Sequence, residues 1–542
     1  MAPHSLQDEG PADLEQKLGD AEVRPPSPPP LSAKPPRLLI VGAGSRGRTY
    51  ARCSLQSSNG VIAAVAEPDD YKRQDFGSKF VWGKATPPPE GTSFRDWGEF
   101  VAWETDRRKR QEAGETVPDG VDAAFICVRD EMHHDAILAL APLGLHIMCE
   151  KPLATTLEDC TNIYRTLAPL QTAKVFSIGH VMRYSPHNMM LRKLLLEDNV
   201  IGDILSVHHT EPVGFWHFSH SYVRGNWRKE SITAPSLLTK SCHDIDILLW
   251  LMCSPAPGSH APEHLPASVA SSGSLQLFRK SRKPKAAGNA TNCLSCPAEP
   301  DCLYSSKRIY ISPKHQGVET GNVRWPVSIV LPDIESFGSD LERAKAAMLE
   351  KLAEDYDDST PQEVIDEKNW FGRCVFESDN DVCDEQVVVM TWEEDPLPDS
   401  SAAETSNSAR GAKQATFHMI AQTKKQCQRY TYVYGTEGEI YADSKTITIE
   451  DFKTGETKTY QPKLESLGHG GGDHGLTRQF VLAVDRVKNG GWKAEDAQQE
   501  FIGCSLEEII RSHAMVFAAE EARRTRRTVD WKAWWDKNVG TM

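Results

Sequence analysis

The stretch RLLIVGAGSRGRTYA, beginning at Arg37, places an apolar run directly against Gly42-Ala43-Gly44-Ser45-Arg46-Gly47. That order predicts a strand, a glycine turn and a helix, and it leaves few folds open. Gly42 permits a backbone turn that a Cβ would resist, Gly44 lets a pyrophosphate approach the main chain, and Gly47 lets the helix pack closely on the strand. The free N–H groups at the start of that helix, around Ser45 and Arg46, then face an anion. A glycine pattern alone is common. Here a second apolar run, VIAAVAE, follows and ends in Glu67, twenty residues after the last glycine. An acidic group at that distance accepts hydrogen bonds from a ribose diol, so the turn reads as a dinucleotide cradle. Glu67 would also repel a 2′-phosphate, which favours NAD; Lys72 and Arg73 follow closely and keep NADP as the alternative.

A chain of 542 residues exceeds one small core and implies two to three domains, or two with large insertions. The formal net charge of −15 argues against a nucleic-acid partner or an anionic membrane surface, because both are held by lysines and arginines. No segment has the apolar length of a membrane span, and the N-terminus shows no basic region followed by an apolar one. The thirteen cysteines are spread along the chain rather than set as a dense framework. That usage fits a reducing compartment, and a cytoplasmic location is expected.

Residues 1–36, with RPPSPPPLSAKPP, lack apolar periodicity and are expected to form a disordered arm. From Arg37 onward, apolar runs alternate with helical segments: LLIVGAG, VIAAVAE, AAFICV at 123–128 and LHIMCE at 145–150. Such alternation predicts a doubly wound parallel sheet with crossover helices, the Rossmann arrangement of an α/β protein. Ligands of these sheets bind beyond the carboxyl ends of the strands. The cofactor side is therefore expected to include Val128 and His133 after one run and Glu150 after another, with Lys151-Pro152 next to them.

At this point the glycine fingerprint, the run VDAAFICVRDEMHHDAILALAPLGLHIMCEKPLA and the later SLLTKSCHDIDILLWL together resemble the Gfo/Idh/MocA oxidoreductases. That family takes its name from glucose-fructose oxidoreductase, inositol dehydrogenase and a rhizopine-catabolism protein. The resemblance covers about 37–252, with weaker echoes from about 370 to 530, such as YVYGTEGEIYAD and GGGDHGLTRQFVLAV. It implies a Rossmann domain over 37–165 and, over 166–542, an α/β domain for substrate binding and oligomerisation, with a large open mixed sheet. Insertions are expected around 255–370 and 395–414.

The resemblance further implies hydride transfer between a nicotinamide and a hydroxyl carbon of a sugar, sugar acid or polyol. Lys151 falls on the lysine of the Glu-Lys-Pro tripeptide, which bonds the reacting oxygen; its ammonium stabilises developing alkoxide charge. His243 falls on the catalytic histidine, able to take the hydroxyl proton. Many family members carry an aspartate four residues before this histidine, whereas this chain has Thr239, with Lys240 beside it. A neutral hydroxyl cannot raise the histidine's pKa. Lys240 is a candidate to bind an anionic sugar, Asp246 to orient the imidazole or to cap local backbone groups, and Arg183 and Tyr184 to lie on the substrate side or to hold the domains together.

The run HTEPVGFWHFSHSYVRGNWR, residues 209–228, combines rings and donors, Trp216 among them, as a sugar face or a packing surface would. Cys293, Cys296 and Cys302 are spaced for a structural zinc, with His315 or Cys374 as fourth ligand; free or buried thiols are the alternative. FGSDLERAKAAMLEKLAEDYDD reads as a helix with a thin apolar stripe. The expected whole is an NAD(P)-dependent dehydrogenase of a small carbohydrate or polyol, with a homo-oligomer implied by the resemblance. An NAD-recycling glycoside hydrolase and a non-catalytic cofactor-binding regulator are the rival readings.

Overall fold

The computed structural model describes residues 32–255, 261–395, 410–463 and 469–540. Most of the arm at 1–36 and most of the polar segment at 395–414 lie outside the described residues.

Six short strands form a wholly parallel sheet: β1 (Arg37–Val41), β2 (Val61–Ala66), β3 (Ser93–Phe94), β4 (Ala123–Ile126), β5 (His146–Cys149) and β6 (Phe176–Ile178). Their order is β3-β2-β1-β4-β5-β6. The strands are joined by the crossover helices α1 (Ser45–Ser57), α2 (Asp70–Phe80), α3 (Trp97–Glu112), α4 (His133–Leu140) and α5 (Leu157–Leu167). Every residue of β4 and β5 is buried, which is why these runs carry almost no alternation in the sequence. The strand order reverses beside β1, so the carboxyl ends of β1 and β4 open onto the crevice of such sheets. The sixth strand lies past residue 165, so the parallel sheet runs further than the sequence-based boundary.

The second sheet has nine strands: β7 (Ile204–Pro212), β8 (Ser268–Ser274), β9 (Glu385–Trp392), β10 (Lys413–Ile420), β11 (Tyr430–Gly435), β12 (Gly438–Asp443), β13 (Ile447–Asp451), β14 (Thr457–Tyr460) and β15 (Val529–Asp530). It is ordered β14-β13-β12-β11-β7-β10-β9-β8-β15. β7 and β10 run parallel and all other neighbours antiparallel, so the sheet is mixed, as expected. Strict alternation along β9, with Gln386, Val388, Met390 and Trp392 buried, shows one face turned to a core.

That core is closed by α6 (Ser236–Met252), in which every residue but Trp250 is buried. Between β8 and β9, the chain from about 275 to 384 builds a small subdomain. Its helix α7 (Leu341–Ala353) buries Ala344, Met348 and Leu352, the thin stripe at four-residue spacing. These side chains belong to a separate apolar cluster with Ile309, Tyr310, Val327 and Phe371. The last long helices return to the first half. α8 (Gly472–Gly490) sets Phe480 edge-on to Phe125 at 5.2 Å, and α9 (Leu506–Thr525) offers His513 to the backbone N–H of Leu153 at 2.8 Å. The two sheets thus share one continuous core.

Candidate active site

The glycine turn has the shape its sequence predicts. Gly42 has φ +96°, and a Cβ there would meet the Cys127 carbonyl oxygen at 2.7 Å. A Cβ on Gly47 would meet the Gly42 oxygen at 2.0 Å, so helix and strand touch there through backbone. At Gly44 a Cβ would meet nothing within 4 Å. That open side, with no side-chain cap on the first N–H groups of α1 and no acid in its first turn, is room and charge for a phosphate group. Glu67 sits at the end of β2, where its Oε2 accepts from the Ala43 N–H at 2.8 Å and its Oε1 from the Asp69 N–H at 3.0 Å. The carboxylate is thereby fixed at the lip of the turn.

Arg46 points inward. Its guanidinium donates to Glu150 Oε1 at 2.6 Å and to Asp473 Oδ1 at 2.7 Å, and the Tyr50 hydroxyl also bonds Glu150. Burial would raise the Glu150 carboxyl, but Arg46, Tyr50 and Lys151 together hold it below its ordinary range. This ion-pair network joins α1, the end of β5 and α8. His133 sits between two carbonyls, that of Pro152 at 2.7 Å and that of Val128 at 3.2 Å, and so pins the two strand ends together.

Lys151 follows Glu150 and reaches α6, where its Nζ donates to the carbonyl oxygen of Thr239 at 2.6 Å. Thr239 therefore holds the lysine through its main chain, one turn before His243. His243 Nε2 is 2.8 Å from Arg429 Nη2 and 3.4 Å from Asp244 Oδ2, and its Nδ1 is buried without a partner among the described residues. Burial pushes the His243 pKa well below its ordinary value; Asp244 opposes the shift, and Arg429, Lys151 and Lys240 add to it. The ring is thus neutral near pH 7, the form that accepts a proton.

Around it lies a buried set of charges that local sequence did not reveal. Arg429, at the start of β11, bonds Asp244 and lies 3.0 Å from Glu211 Oε2. Lys240 lies 2.8 Å from Glu211 Oε1 and 3.2 Å from the Cys427 sulfur. The Asp244 Oδ1 also stands 3.1 Å from His209 Nε2. His209 and Glu211 occupy alternate positions of β7 on the face that meets α6. Polar groups at core-facing strand positions were the signal available; Arg429, 186 residues from His243, gave none. On the other flank, Trp227 Nε1 donates to Asp130 Oδ2 at 2.8 Å, and its ring stacks on Tyr222 at 5.5 Å.

Several expectations are corrected. Lys240 is no open anion site, because its charge is taken up by Glu211. Asp246 does not face His243: it receives both prongs of Arg183 at 2.7 and 2.8 Å. Arg183 also donates to Glu508 at 2.9 Å, and the Tyr184 hydroxyl donates to the Ile502 carbonyl at 2.8 Å, so both residues hold the domains together rather than face substrate. Trp216 packs on Trp325 at 5.1 Å and His315 at 5.3 Å, inside the subdomain core. Cys293, Cys296 and Cys302 do not converge on a metal position, and the Cys293 sulfur accepts from Arg224 at 3.3 Å, where a cation already stands. Among the described residues, the group that does converge is His180, Cys242 and His513. There His513 spends both nitrogens, Nε2 accepting from Leu153 and Nδ1 bonding the Ile509 carbonyl, so that ring has no lone pair left for a metal. All thirteen cysteines are free thiols. No described helix is long and apolar enough to cross a membrane.

Comparison with known proteins agrees with this geometry. Residues 37–180 match the model of the oxidoreductase family's NAD-binding Rossmann fold, and residues 193–259 match that of its C-terminal alpha/beta domain. Inositol 2-dehydrogenase of Corynebacterium glutamicum is 26% identical over 242 residues, 44% of this chain and 60% of that protein. The 2,7-anhydro-N-acetylneuraminate hydratase of Mediterraneibacter gnavus is 27% identical over 134 residues, 25% of this chain and 34% of that protein. The chain thus spans between about a third and three fifths of the length of these curated relatives. Two solved structures share the fold at 14% identity. An inositol dehydrogenase homolog from Azotobacter vinelandii complexed with NAD+ has a TM-score of 0.57, covering 92% of this chain and 98% of its own. A levoglucosan dehydrogenase in complex with NADH and levoglucosan has a TM-score of 0.54, covering 92% and 99%. Residues 37–180 and 193–259 thus carry the two domain signatures of the Gfo/Idh/MocA oxidoreductases.

Proposed function

We propose that the protein is an NAD-dependent dehydrogenase that moves a hydride between the nicotinamide and a hydroxyl carbon of an uncharged sugar or polyol. The observation that carries this reading is the meeting of Lys151, from the end of β5, with the turn of α6 that holds Thr239 and His243. A lysine ammonium and a neutral imidazole then stand beyond the strand ends, on the side where sheets of this kind bind dinucleotides. NAD supplies the hydride acceptor when bound. Gly42, Gly44, Ser45 and Gly47 would hold its pyrophosphate, and Glu67 its ribose.

The chain's own residues do the rest. Lys151 donates to the reacting oxygen and stabilises the alkoxide as it forms. His243 takes the hydroxyl proton at an imidazole nitrogen and returns it in the reverse direction. Trp227, backed by the buried Tyr222 ring, offers an apolar face suited to the C–H face of a sugar ring. The cations Lys240 and Arg429 are matched by Glu211 and Asp244, which supports an uncharged substrate over a uronate or sugar phosphate. The outer face of the second sheet carries Tyr432 and Tyr434, 41% and 38% exposed, with rings stacked at 6.4 Å, which supports a homo-oligomer built on that face. Because one relative is named a hydratase, turnover without net redox change is the second reading.

The test is a screen of neutral sugars, cyclitols, uronates and glycosides with NAD and with NADP, following nicotinamide absorbance and product formation together. Reduction of NAD by neutral polyols is expected. Product without net absorbance change would favour the second reading, and silence throughout would contradict both.

A further inference from the structure

A buried imidazole that gains a proton needs a counter-charge, and Thr239 provides none: its hydroxyl donates to the Pro235 carbonyl at 3.4 Å, and its own carbonyl is taken by Lys151. The carboxylate within reach is that of the neighbouring Asp244, with Oδ2 3.4 Å from His243 Nε2. Asp244 is held from two sides, by the Arg429 guanidinium and by His209 Nε2 at 3.1 Å. Arg429 also directs Nη2 at the same His243 nitrogen, at 2.8 Å. His243 Nε2 thus faces a donor and an acceptor at once, while Nδ1 has neither.

We propose that Asp244 and Arg429 are a pair of positioning residues that choose the tautomer of His243; this inference rests on the proposed role of His243. With Arg429 donating to Nε2, the ring carries its proton on Nδ1 and presents a donor to substrate, as reduction of a carbonyl requires. With Nε2–H donating to Asp244, Nδ1 presents a lone pair, as oxidation of an alcohol requires. In oxidation the substrate O–H bond breaks and an N–H bond forms at Nδ1, the hydride leaving to the nicotinamide. The resulting imidazolium bonds Asp244 through Nε2. The Nε2 proton then passes to solvent water, which restores the neutral Nδ1–H form that accepts from Arg429. Asp244 thereby supplies, from the adjacent position, the carboxylate that Thr239 lacks. Arg429 is itself held by Glu211, which also holds Lys240. The charged and titratable groups facing His243 are Lys151, Lys240, Asp244, Arg429 and, at 6.4 Å between rings, His469.

The experiment is nitrogen NMR of the full chain labelled with 15N-histidine, loaded with NADH, near pH 7.5. His243 is identified by the signals missing in His243→Gln. Asp244→Asn should move the ring toward the Nδ1–H tautomer, and Arg429→Met toward the Nε2–H tautomer. Tautomer populations that move in the same direction, or in neither variant, would overturn the proposal. Should either variant fail to fold, Asp244→Glu and Arg429→Lys replace them, with shifts of the same opposite signs and smaller size. On any polyol found to turn over, Asp244→Asn should lower kcat by at least about tenfold at unchanged NADH affinity. The spectra need no substrate. Opposite tautomer shifts without polyol turnover would sink the dehydrogenase reading and leave the device, whereas turnover with an indifferent tautomer would do the reverse.

Discussion

The half built on the parallel sheet and the half built on the mixed sheet solve different problems with different material. The parallel sheet is mostly hydrocarbon: Leu38, Leu39, Ile40, Ala124, Phe125 and Ile126 are all 0% exposed, and its glycine turn is written in consecutive residues. The centre of the second half is a knot of charge, with Glu211, Asp244, Lys240 and Arg429 drawn from three separate stretches of chain into buried positions. Local sequence therefore specifies the first, and only the fold assembles the second. A mismatch in the hydrocarbon half costs packing; a mismatch in the charged half leaves an ion without its partner, which costs more.

The largest expected effect tests that difference in stability. Arg183→Ala leaves Asp246 buried and unpaired, and denaturant unfolding should show a loss of about 3–5 kcal/mol. A loss below about 1 kcal/mol, the size of an exposed pair, would show that this charge is not part of the scaffold. Next, Lys151→Ala should reduce polyol turnover by about 10²–10⁴-fold while NADH binding, read by fluorescence, persists. Equal loss of cofactor affinity would move Lys151 from the chemistry to the nucleotide site.

Two glycines sharpen the comparison inside the first half. Gly47→Ala collides with the Gly42 backbone and should destabilise the fold by about 1–3 kcal/mol. Gly44→Val has room in the protein and should leave melting unchanged while weakening NADH by about tenfold, or 1.4 kcal/mol. If Gly44→Val binds NADH normally, the open side of the turn is not the phosphate path.

Acid should act on both halves. Burial pushes His146 in the first half, and His220 and His513 in the second, down to about 3. Each is therefore neutral when folded and takes a proton when unfolded below about 6.5. Since the unfolded state binds more protons in that window, stability is present above it and falls as pH drops from about 6.5 toward 3. The melting temperature should decline steadily through that range; a flat profile would mean that these rings keep access to solvent. The smallest effect is Glu67→Gln, which should narrow the preference for NAD over NADP several-fold, within about 1 kcal/mol, as measured by paired titrations.

How much was legible follows the same division. The runs LLIV, VIAAVA, AAFI and HIMC became strands where the pattern put them, because strands buried on both faces advertise themselves as apolar runs. The short sixth strand, Phe176–Ile178, went unread because three residues carry no period. In the second half, the burial of α6 was legible, and the resemblance singled out His243 on it. The partners of His243 were not: Asp244 and Asp246 look alike in sequence, and only the helix's rotation decides that one faces Arg429 and the other Arg183. The cysteine spacing left zinc and plain thiols both open, and only the fold sets the Arg224 guanidinium against the Cys293 sulfur.

The most direct test of the central claim is hydride tracing. The protein, NAD and a carbon-deuterated neutral polyol identified by the screen would be incubated together and the nicotinamide analysed by mass spectrometry, with Lys151→Ala alongside. The account predicts deuterium on the reduced nicotinamide in stoichiometric step with polyol oxidised, and its near absence in the variant. Polyol consumed with no deuterium on the nicotinamide, or equal labelling by the Lys151 variant, would contradict it.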